Sequence, residues 1–248
     1  MESLPLFSSG FLLAVSCALL LGIAKSGIKG IAVFIVTGLA LAYGSFESTG
    51  ILMPMLIFGD TFAVIYYKKH VTWKYIKILI PWMIVGVLLG VIFGNNIPES
   101  LFKYSMVTIV LTSVGMMYFW ESKSNKKIPS HKRFGISMGI LAGFTTMVGN
   151  LAGAFSNIYF LAMRLPKNEF IGTAAWLFFI INLFKVPFHI WVWKTINMES
   201  LQISIRLLPF VATGLMIGIL LVKKINDTRY RKLILILTAI GGLALLIK

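Results

Sequence analysis

The chain has 248 residues, of which 58% are hydrophobic and only 12% are charged, and its mean hydropathy is +0.90. A soluble enzyme or binding domain of this length needs more polar surface, so the composition excludes that class of protein. The net charge of +15 suggests a nucleic-acid partner, but most basic residues lie in short connections between apolar runs. That arrangement is typical of an integral membrane protein, and no nucleic-acid binding is expected.

Ten apolar runs follow one another along the chain, five before and five after a basic linker at residues 122–133. The longer runs have about the 20 residues that a helix needs to cross ~30 Å of hydrocarbon. Since none alternates as membrane strands do, we predict an all-α polytopic membrane protein. The runs are 7–24, 30–44, 48–67, 75–94, 101–120, 134–149, 151–163, 170–193, 201–222 and 230–247.

One helix in each half carries a proline followed by two glycines at the same spacing, 128 positions apart. Such a match within similar hydrophobic context indicates an internal repeat. We predict a first repeat at residues 1–121 and a second at 134–248, with about five helical segments each, joined by the linker 122–133. The matching residues are Pro81, Gly86 and Gly90 in the first half, and Pro209, Gly214 and Gly218 in the second.

Loop charges predict how the two repeats are oriented. Basic residues cluster near residues 68–77, 123–133, 164–167 and 223–232, so these connections are expected in the cytoplasm. The connections at 95–100 and 195–200 hold no Lys or Arg and are expected outside. The helix with Pro81 therefore runs outward, and the helix with Pro209 runs inward. The repeats are predicted to be inverted, as in many secondary transporters, with both chain termini outside.

The first element of each repeat is predicted to be a broken or re-entrant helical hairpin. Residues 134–164 would measure ~46 Å as one helix, and both ends are basic, so the chain enters and leaves on one side. Its tip is expected near Gly149 and Asn150, and the matching element 7–44 is expected to turn near residues 24–30. Irregular backbone at membrane depth requires enclosure or a polar cavity, so the two tips mark the expected binding site.

The first tip offers groups that bind anions. Glycines let the backbone approach a ligand, and free N–H groups at the next helix start attract negative charge. We therefore expect Lys25, Ser26 and Gly27 to bind an anionic substrate, while Lys29 is interpreted as a loop lysine that marks the cytoplasmic side.

The second tip offers neutral donors, with the side chains of Thr145, Thr146 and Asn150 as candidate substrate ligands. An alternative and compatible interpretation is helix packing through the spacing of Gly149 and Gly153, with Asn150 hydrogen-bonded across helices.

Asp60 is an acid inside a predicted span. An ionised carboxylate at a helix centre costs ~3 kcal/mol on insertion scales, so Asp60 is expected to be paired, protonated or hydrated. Two roles remain open from the sequence: a proton carrier that balances charge during transport, and a structural ion pair with a membrane lysine such as Lys25.

The helix predicted at 170–193 adds four further candidates. Thr173 is a helix cap or a hydroxyl donor to the substrate, and Asn182 lies on roughly the same helix face as Lys185. Lys185 offsets substrate charge or extends to the interface along its apolar stem. His189 is a candidate for charge balance, with a structural histidine as the alternative.

The sequence contains no catalytic motif. It has no carboxylate pair, no His/Cys cluster, no phosphate-binding loop with Lys-Ser/Thr and a single cysteine, Cys17. We therefore predict that the protein is not an enzyme and holds no cofactor or metal. Buried cations, hydroxyl groups and helix ends are typical of a site that binds and releases an anion.

These residues resemble those of the TauE/SafE family of sulfite and organosulfonate exporters, over nearly the whole chain. One difference is Ala154, where family members often carry proline. The resemblance implies a permease of the bacterial inner membrane for small sulfur oxyanions or sulfonates. The motifs that carry it are 22–30, 49–56 with Asp60, Pro81-Trp82 with Gly86 and Gly90, 143–153, 165–167 with Phe170, 172–176, and Asn182 with 185–187.

Together these features predict a secondary transporter, an exporter, of small sulfur-containing anions such as sulfite or sulfoacetate-like organosulfonates. The expected partners are the anion and membrane lipids, and a homodimer is a candidate assembly. Two alternatives stay open: a membrane scaffold that assists assembly of an enzyme complex, and a permease for another small organic anion. A cation carrier fits less well, because one buried acid faces several lysines.

Overall fold

The structure is a computed structural model that describes residues 9–94 and 132–246, together with positions 104, 108, 112 and 115. Apart from these four positions, the predicted run 101–120 lies outside the described residues. So do the predicted outer connection 95–100 and most of the basic linker 122–133, whose last two residues begin a helix.

The two long described stretches form nine α-helices, and no strand occurs among the described residues. A π-helical turn, Phe188–Val192, continues α7. The helices are α1 Ser9–Lys25, α2 Ala32–Tyr43, α3 Glu47–Tyr67, α4 Trp73–Gly94, α5 Lys132–Gly149, α6 Ala152–Ala162, α7 Lys167–Pro187, α8 Met198–Lys223 and α9 Asp227–Leu246.

Four of these helices are long and apolar enough to cross a membrane: α3, α4, α7 with its π-helical continuation, and α8. Helices α1 and α2 are shorter but also apolar. The helix content and the four apolar helices confirm the prediction of an all-α polytopic membrane protein, so the protein is a multi-pass membrane protein.

Both predicted hairpins contain a helix break at the expected place. Residues 26–31 separate α1 from α2, and the backbone there has φ of 132° at Gly27 and 100° at Gly30, a region that favours glycine. Residues 150–151 separate α5 from α6, and Asn150 has φ of 55°. Asparagine is among the few non-glycine residues that adopt this conformation readily.

The first helix of each hairpin packs against a helix of the other half through glycine. A Cβ atom on Gly22 of α1 would lie 2.1 Å from the carbonyl oxygen of Val211 on α8. A Cβ atom on Gly143 of α5 would lie at the same 2.1 Å from the carbonyl oxygen of Met83 on α4. The backbones touch at both places, so no larger residue fits without a shift.

The repeated glycines take part in the same two contacts from the other side. A Cβ atom on Gly214 would lie 2.1 Å from the carbonyl oxygen of Leu19, and one on Gly86 would lie 2.1 Å from that of Ile140. Leu19 and Ile140 are 121 positions apart, as are Gly22 and Gly143. The two places therefore have matching contacts, made by residues at the same spacing along the chain.

The buried apolar residues form two large clusters, and each cluster combines a hairpin of one half with a helix of the other half. One combines residues of α4 with residues of the second hairpin, including Met83 and Met147. The other combines residues of the first hairpin with residues of α8, including Leu21, Leu39 and Leu207. Helices α3 and α7 pack against each other between the hairpins, where they carry Asp60, Asn182 and Lys185.

Candidate functional site

A cavity of about 80 Å³ lies between the two hairpin tips. One water molecule needs about 10–15 Å³ on the same measure, so the cavity has room for a small ion with several heavy atoms. Its apolar wall includes Leu21, Ile35, Leu56 and Phe178. Its polar wall is formed by Lys25, Lys29, Thr146, Asn150, Asn157 and Asn182.

Lys25 and Asp60 form a buried ion pair beside this cavity. The Lys25 Nζ lies 2.6 Å from Asp60 Oδ1, and the Asn182 Nδ2 donates to Asp60 Oδ2 at 2.7 Å. All three side chains are buried, and Asp60 is fully inaccessible. Each carboxylate oxygen therefore has a close donor, as a buried carboxylate requires. Of the two roles expected for Asp60, the ion pair with Lys25 is present in the structure.

Lys29, interpreted from the sequence as a loop lysine that marks the cytoplasmic side, does lie in the loop between α1 and α2, but it is a buried lysine on the cavity wall. Only 7% of it is exposed, because the segment between α1 and α2 folds back into the protein. Its Nζ donates to the carbonyl oxygen of Ala24 at 3.3 Å and lies 5.5 Å from the centre of the Phe178 ring. No carboxylate pairs with Lys29 among the described residues.

Phe178 links the two cavity lysines. The Nζ of Lys25 lies 5.6 Å from the centre of its ring, close to the 5.5 Å for Lys29. Ammonium groups within about 6 Å of an aromatic face are attracted by its negative quadrupole. The ring thus helps to hold two like charges near one cavity, and the sequence carried no signal for it within an apolar run.

Lys185 reaches the second hairpin tip from α7. Its Nζ donates to the Thr146 carbonyl oxygen at 2.7 Å, to the Thr146 Oγ1 at 3.1 Å and to the Asn150 Oδ1 at 2.7 Å. Lys185 is fully buried, so these oxygen atoms take the place of water as hydrogen-bond partners of its Nζ. The lysine lies behind the residues that line the cavity and positions two of them, Thr146 and Asn150.

Two buried amide atoms on cavity residues have no hydrogen-bond partner in the described part of the protein. They are the donor Asn150 Nδ2 and the acceptor Asn157 Oδ1. Buried polar groups are nearly always hydrogen-bonded, so an unpartnered donor and acceptor on one cavity wall are available to a ligand. Since Lys25 and Lys29 also line the cavity, it can hold an oxyanion by charge and by a hydrogen bond from the Asn150 Nδ2.

Three of the predicted tip residues lie outside the cavity wall. The Ser26 hydroxyl donates to the carbonyl oxygen of Ile23 at 2.7 Å. The Gly27 carbonyl oxygen accepts from the Tyr230 hydroxyl at 2.6 Å, and the Thr145 hydroxyl donates to a carbonyl oxygen one turn earlier in α5 at 2.8 Å. These contacts hold the backbone of the tips in place.

Thr173 and His189 also lie away from the cavity. The Thr173 hydroxyl accepts from the Thr72 backbone N–H at 3.0 Å, where the connection between α3 and α4 meets the start of α7. His189, in the π-helical turn, has its Nδ1 2.8 Å from the Thr195 hydroxyl oxygen and is fully buried. The structure thus brings Lys25, Asp60, Thr146, Asn150, Asn182 and Lys185 together and leaves Thr173 and His189 apart.

The described residues include no group of three His, Cys, Asp or Glu side chains that could hold a metal ion. A family model described as "Sulfite exporter TauE/SafE" matches residues 13–245. Neither a curated protein nor a solved structure matches the chain. The family match covers nearly the whole chain, including both hairpins and the cavity between them. The resemblance noted in the sequence is therefore confirmed: the chain belongs to the TauE/SafE family of sulfite exporters.

Proposed function

We propose that the protein is a secondary transporter that exports a small sulfur-containing anion, such as sulfite or a sulfoacetate-like organosulfonate. The anion would bind in the cavity between the hairpin tips. Membership of the TauE/SafE family supports a permease for sulfur anions. The observation that carries the proposal is that Lys25 and Lys29 both line the cavity, while a single carboxylate, Asp60, neutralises only one of them.

The charges around the cavity favour an anion over a cation. Asp60 and Lys25 cancel each other, which leaves Lys29 on the wall and Lys185 behind it as positive charges. A bound anion would compensate this excess and would accept hydrogen bonds from the lysines and from Asn150. A bound cation would be repelled by two lysines and would find few acceptors.

The proposed topology is two inverted repeats, residues 1–121 and 134–248, joined by the cytoplasmic linker 122–133. Support comes from the repeated glycine contacts between α1 and α8 and between α5 and α4. The basic connections would face the cytoplasm of a bacterial cell, with both termini outside the inner membrane. Alternating access would then expose the central cavity to each side in turn.

Membrane potential alone is a sufficient driving force for such an exporter. A negative cell interior favours anion exit by ~2.3 kcal/mol per charge per 100 mV. Both oxygens of Asp60 accept close hydrogen bonds from Lys25 and Asn182, which supports a structural role for this carboxylate over proton carriage. Export would then need no titrating group in the membrane.

Binding of candidate anions to purified protein tests this proposal. Sulfite, sulfoacetate, taurine and sulfate would each be titrated while the melting temperature is followed, because a ligand that binds the folded state raises it. We expect sulfite or a sulfonate to stabilise the protein. Lys29→Gln should weaken that binding about tenfold or more, since it removes one charge-assisted contact. The ligand-free melting temperature should change little, because Lys29 has no carboxylate partner.

Lys74→Gln is the matched control, since it removes an exposed lysine from the first turn of α4. It should leave anion binding unchanged. Efflux of the stabilising anion from proteoliposomes with an imposed potential would complete the test. If none of the four anions stabilises the protein, the scaffold alternative gains support. If Lys29→Gln binds as well as the unaltered protein, the cavity is not the anion site.

A further inference from the structure

A second cavity forms an open groove between the C-terminal halves of α3 and α8. Its volume is about 270 Å³, and its lining is apolar apart from Ser26 and two tyrosine hydroxyl groups. Phe62, Ile65 and Tyr66 on α3 and Met216 on α8 form its rim, each between 47% and 70% exposed. Both helices are long and apolar enough to cross a membrane, so we expect this rim to face lipid hydrocarbon.

Exposed lysines stand directly beyond one end of this groove. Lys69 lies two residues after the last residue of α3, and Lys223 is the last residue of α8, so both lysines stand at the C-terminal ends of the two helices that form the groove. Within the part of the chain that the structure describes, no carboxylate pairs with these lysines or their neighbours. The basic cluster consists of Lys68, Lys69, Lys223 and Lys224.

We propose that the groove binds an anionic phospholipid, with an acyl chain along the groove and the phosphate on the basic cluster. The groove offers apolar contact to an acyl chain. The lysines attract an anionic headgroup more strongly than a zwitterionic one, because the zwitterionic headgroup carries a cationic group of its own. The site is distinct from the central cavity, and the inference does not depend on which anion the protein transports.

The bound chain would contact the residues that hold the first hairpin tip. The inner wall of the groove includes Ser26 and Tyr67, and the Tyr67 hydroxyl donates to the Ser26 carbonyl oxygen at 2.7 Å. Ser26 directly follows Lys25, the last residue of α1. A lipid in the groove therefore shields this hydrogen bond and supports the helix break beside the central cavity.

The test uses delipidated full-length protein in a neutral detergent. Phosphatidylglycerol and phosphatidylcholine with identical oleoyl chains would be titrated, with melting temperature and lipid-bound mass as readouts. We expect phosphatidylglycerol to bind more tightly and to raise the melting temperature more. Lys69→Gln with Lys223→Gln should weaken phosphatidylglycerol binding about 10- to 30-fold, on the scale of known lysine–anionic-lipid attractions, and should leave phosphatidylcholine binding unchanged. Both lysines are exposed, so this variant should fold.

A matched control removes two basic residues elsewhere: Lys132→Gln with Arg133→Gln, at the exposed start of α5. This variant should keep the full response. Ala212→Phe, which fills the groove, should lose it. Equal binding of the two lipids, or an equal loss in both charge variants, would overturn the proposal. So would a wild-type dimer that dissociates in Ala212→Phe, because the groove would then be occupied by a second copy of the chain.

Discussion

The two hairpin tips have corresponding places in the fold but carry their charge differently. At the first tip the hairpin itself provides the cations Lys25 and Lys29. The residues 121 positions later are Thr146 and Asn150, which are neutral. The cation at this second tip is Lys185 of α7, which donates hydrogen bonds to both residues. One tip therefore presents lysines to the cavity, and the other presents hydroxyl and amide groups that a lysine behind them positions.

Helices α3 and α7 also make matching backbone contacts through a glycine each. A Cβ on Gly50 would lie 1.9 Å from the carbonyl oxygen of Thr195, and one on Gly172 would lie 2.3 Å from that of His70. Each glycine thus lets the first turns of its helix approach the segment that follows the other helix. The backbone arrangement is shared, so differences in chemistry come from the side chains placed upon it.

The clearest of these differences lies where α3 and α7 meet. Asp60 comes ten residues after Gly50, and Asn182 comes ten residues after Gly172, and the two side chains hydrogen-bond to each other. Two carboxylates at these places would repel, and two amides would leave Lys25 without a counter-ion. An acid in one half and an amide in the other satisfy the buried lysine and leave a net positive cavity.

The largest expected effect is the loss of the acid from this pair. Asp60→Asn leaves Lys25 as a buried charge without a counter-ion, and breaking a buried ion pair in this way costs about 3–5 kcal/mol of stability. The free energy of unfolding, measured in detergent, should fall by that amount. If the free energy of unfolding does not change, the ion pair does not stabilise the first tip and is not a difference between the two tips.

A double substitution provides the control for this prediction. Asp60→Asn together with Lys25→Met removes both charges, so it should recover much of the lost stability. Anion binding should stay weak in the double variant, because one of the two cavity lysines is missing. Recovery of stability without recovery of binding would separate the structural role of Asp60 from the ligand role of Lys25.

The next largest effect tests the shared backbone. Gly22→Ala and Gly143→Ala each place a methyl group against a carbonyl oxygen of the opposing helix, at 2.1 Å in both cases. Overpacking of this kind typically costs about 1–3 kcal/mol, and the two losses in melting experiments should be similar. Gly115→Ala is the control, because no described residue lies within 4 Å of its added methyl group. A loss in only one hairpin would show that the two packing surfaces are not equivalent.

The helical segments and the helix breaks of the described fold were predictable from the sequence because apolar run length and glycine breaks are local signals. The helix break between α1 and α2 covers residues 26–31, which ends one residue beyond the turn predicted at 24–30. The break at Asn150 was predicted as well. The π-helical turn after Pro187 was not predicted, because residues 170–193 form one continuous apolar run.

The candidate site was predictable only in part. Lys25 and Asp60 stood out as charges in or beside apolar segments, and an ion pair between them was one of the two roles left open for Asp60. Lys29 did not, because a lysine in a short loop has the same sequence pattern whether the loop enters the protein or faces the cytoplasm. Asn157 and Phe178 lie in helices whose composition carries no sign of a cavity. Their roles depend on contacts between distant segments.

The smallest expected effect concerns how each tip makes its turn. The first tip uses Gly27 at φ of 132°, whereas the second uses Asn150 at φ of 55°. Asn150→Gly and Asn150→Ala both remove the hydrogen bond to Lys185, but only alanine adds the steric cost of a left-handed backbone, about 1–2 kcal/mol. Asn150→Ala should therefore unfold at a lower temperature than Asn150→Gly. Equal stability would mean that the backbone at the second tip relaxes, and that Lys185 is the main support of this turn.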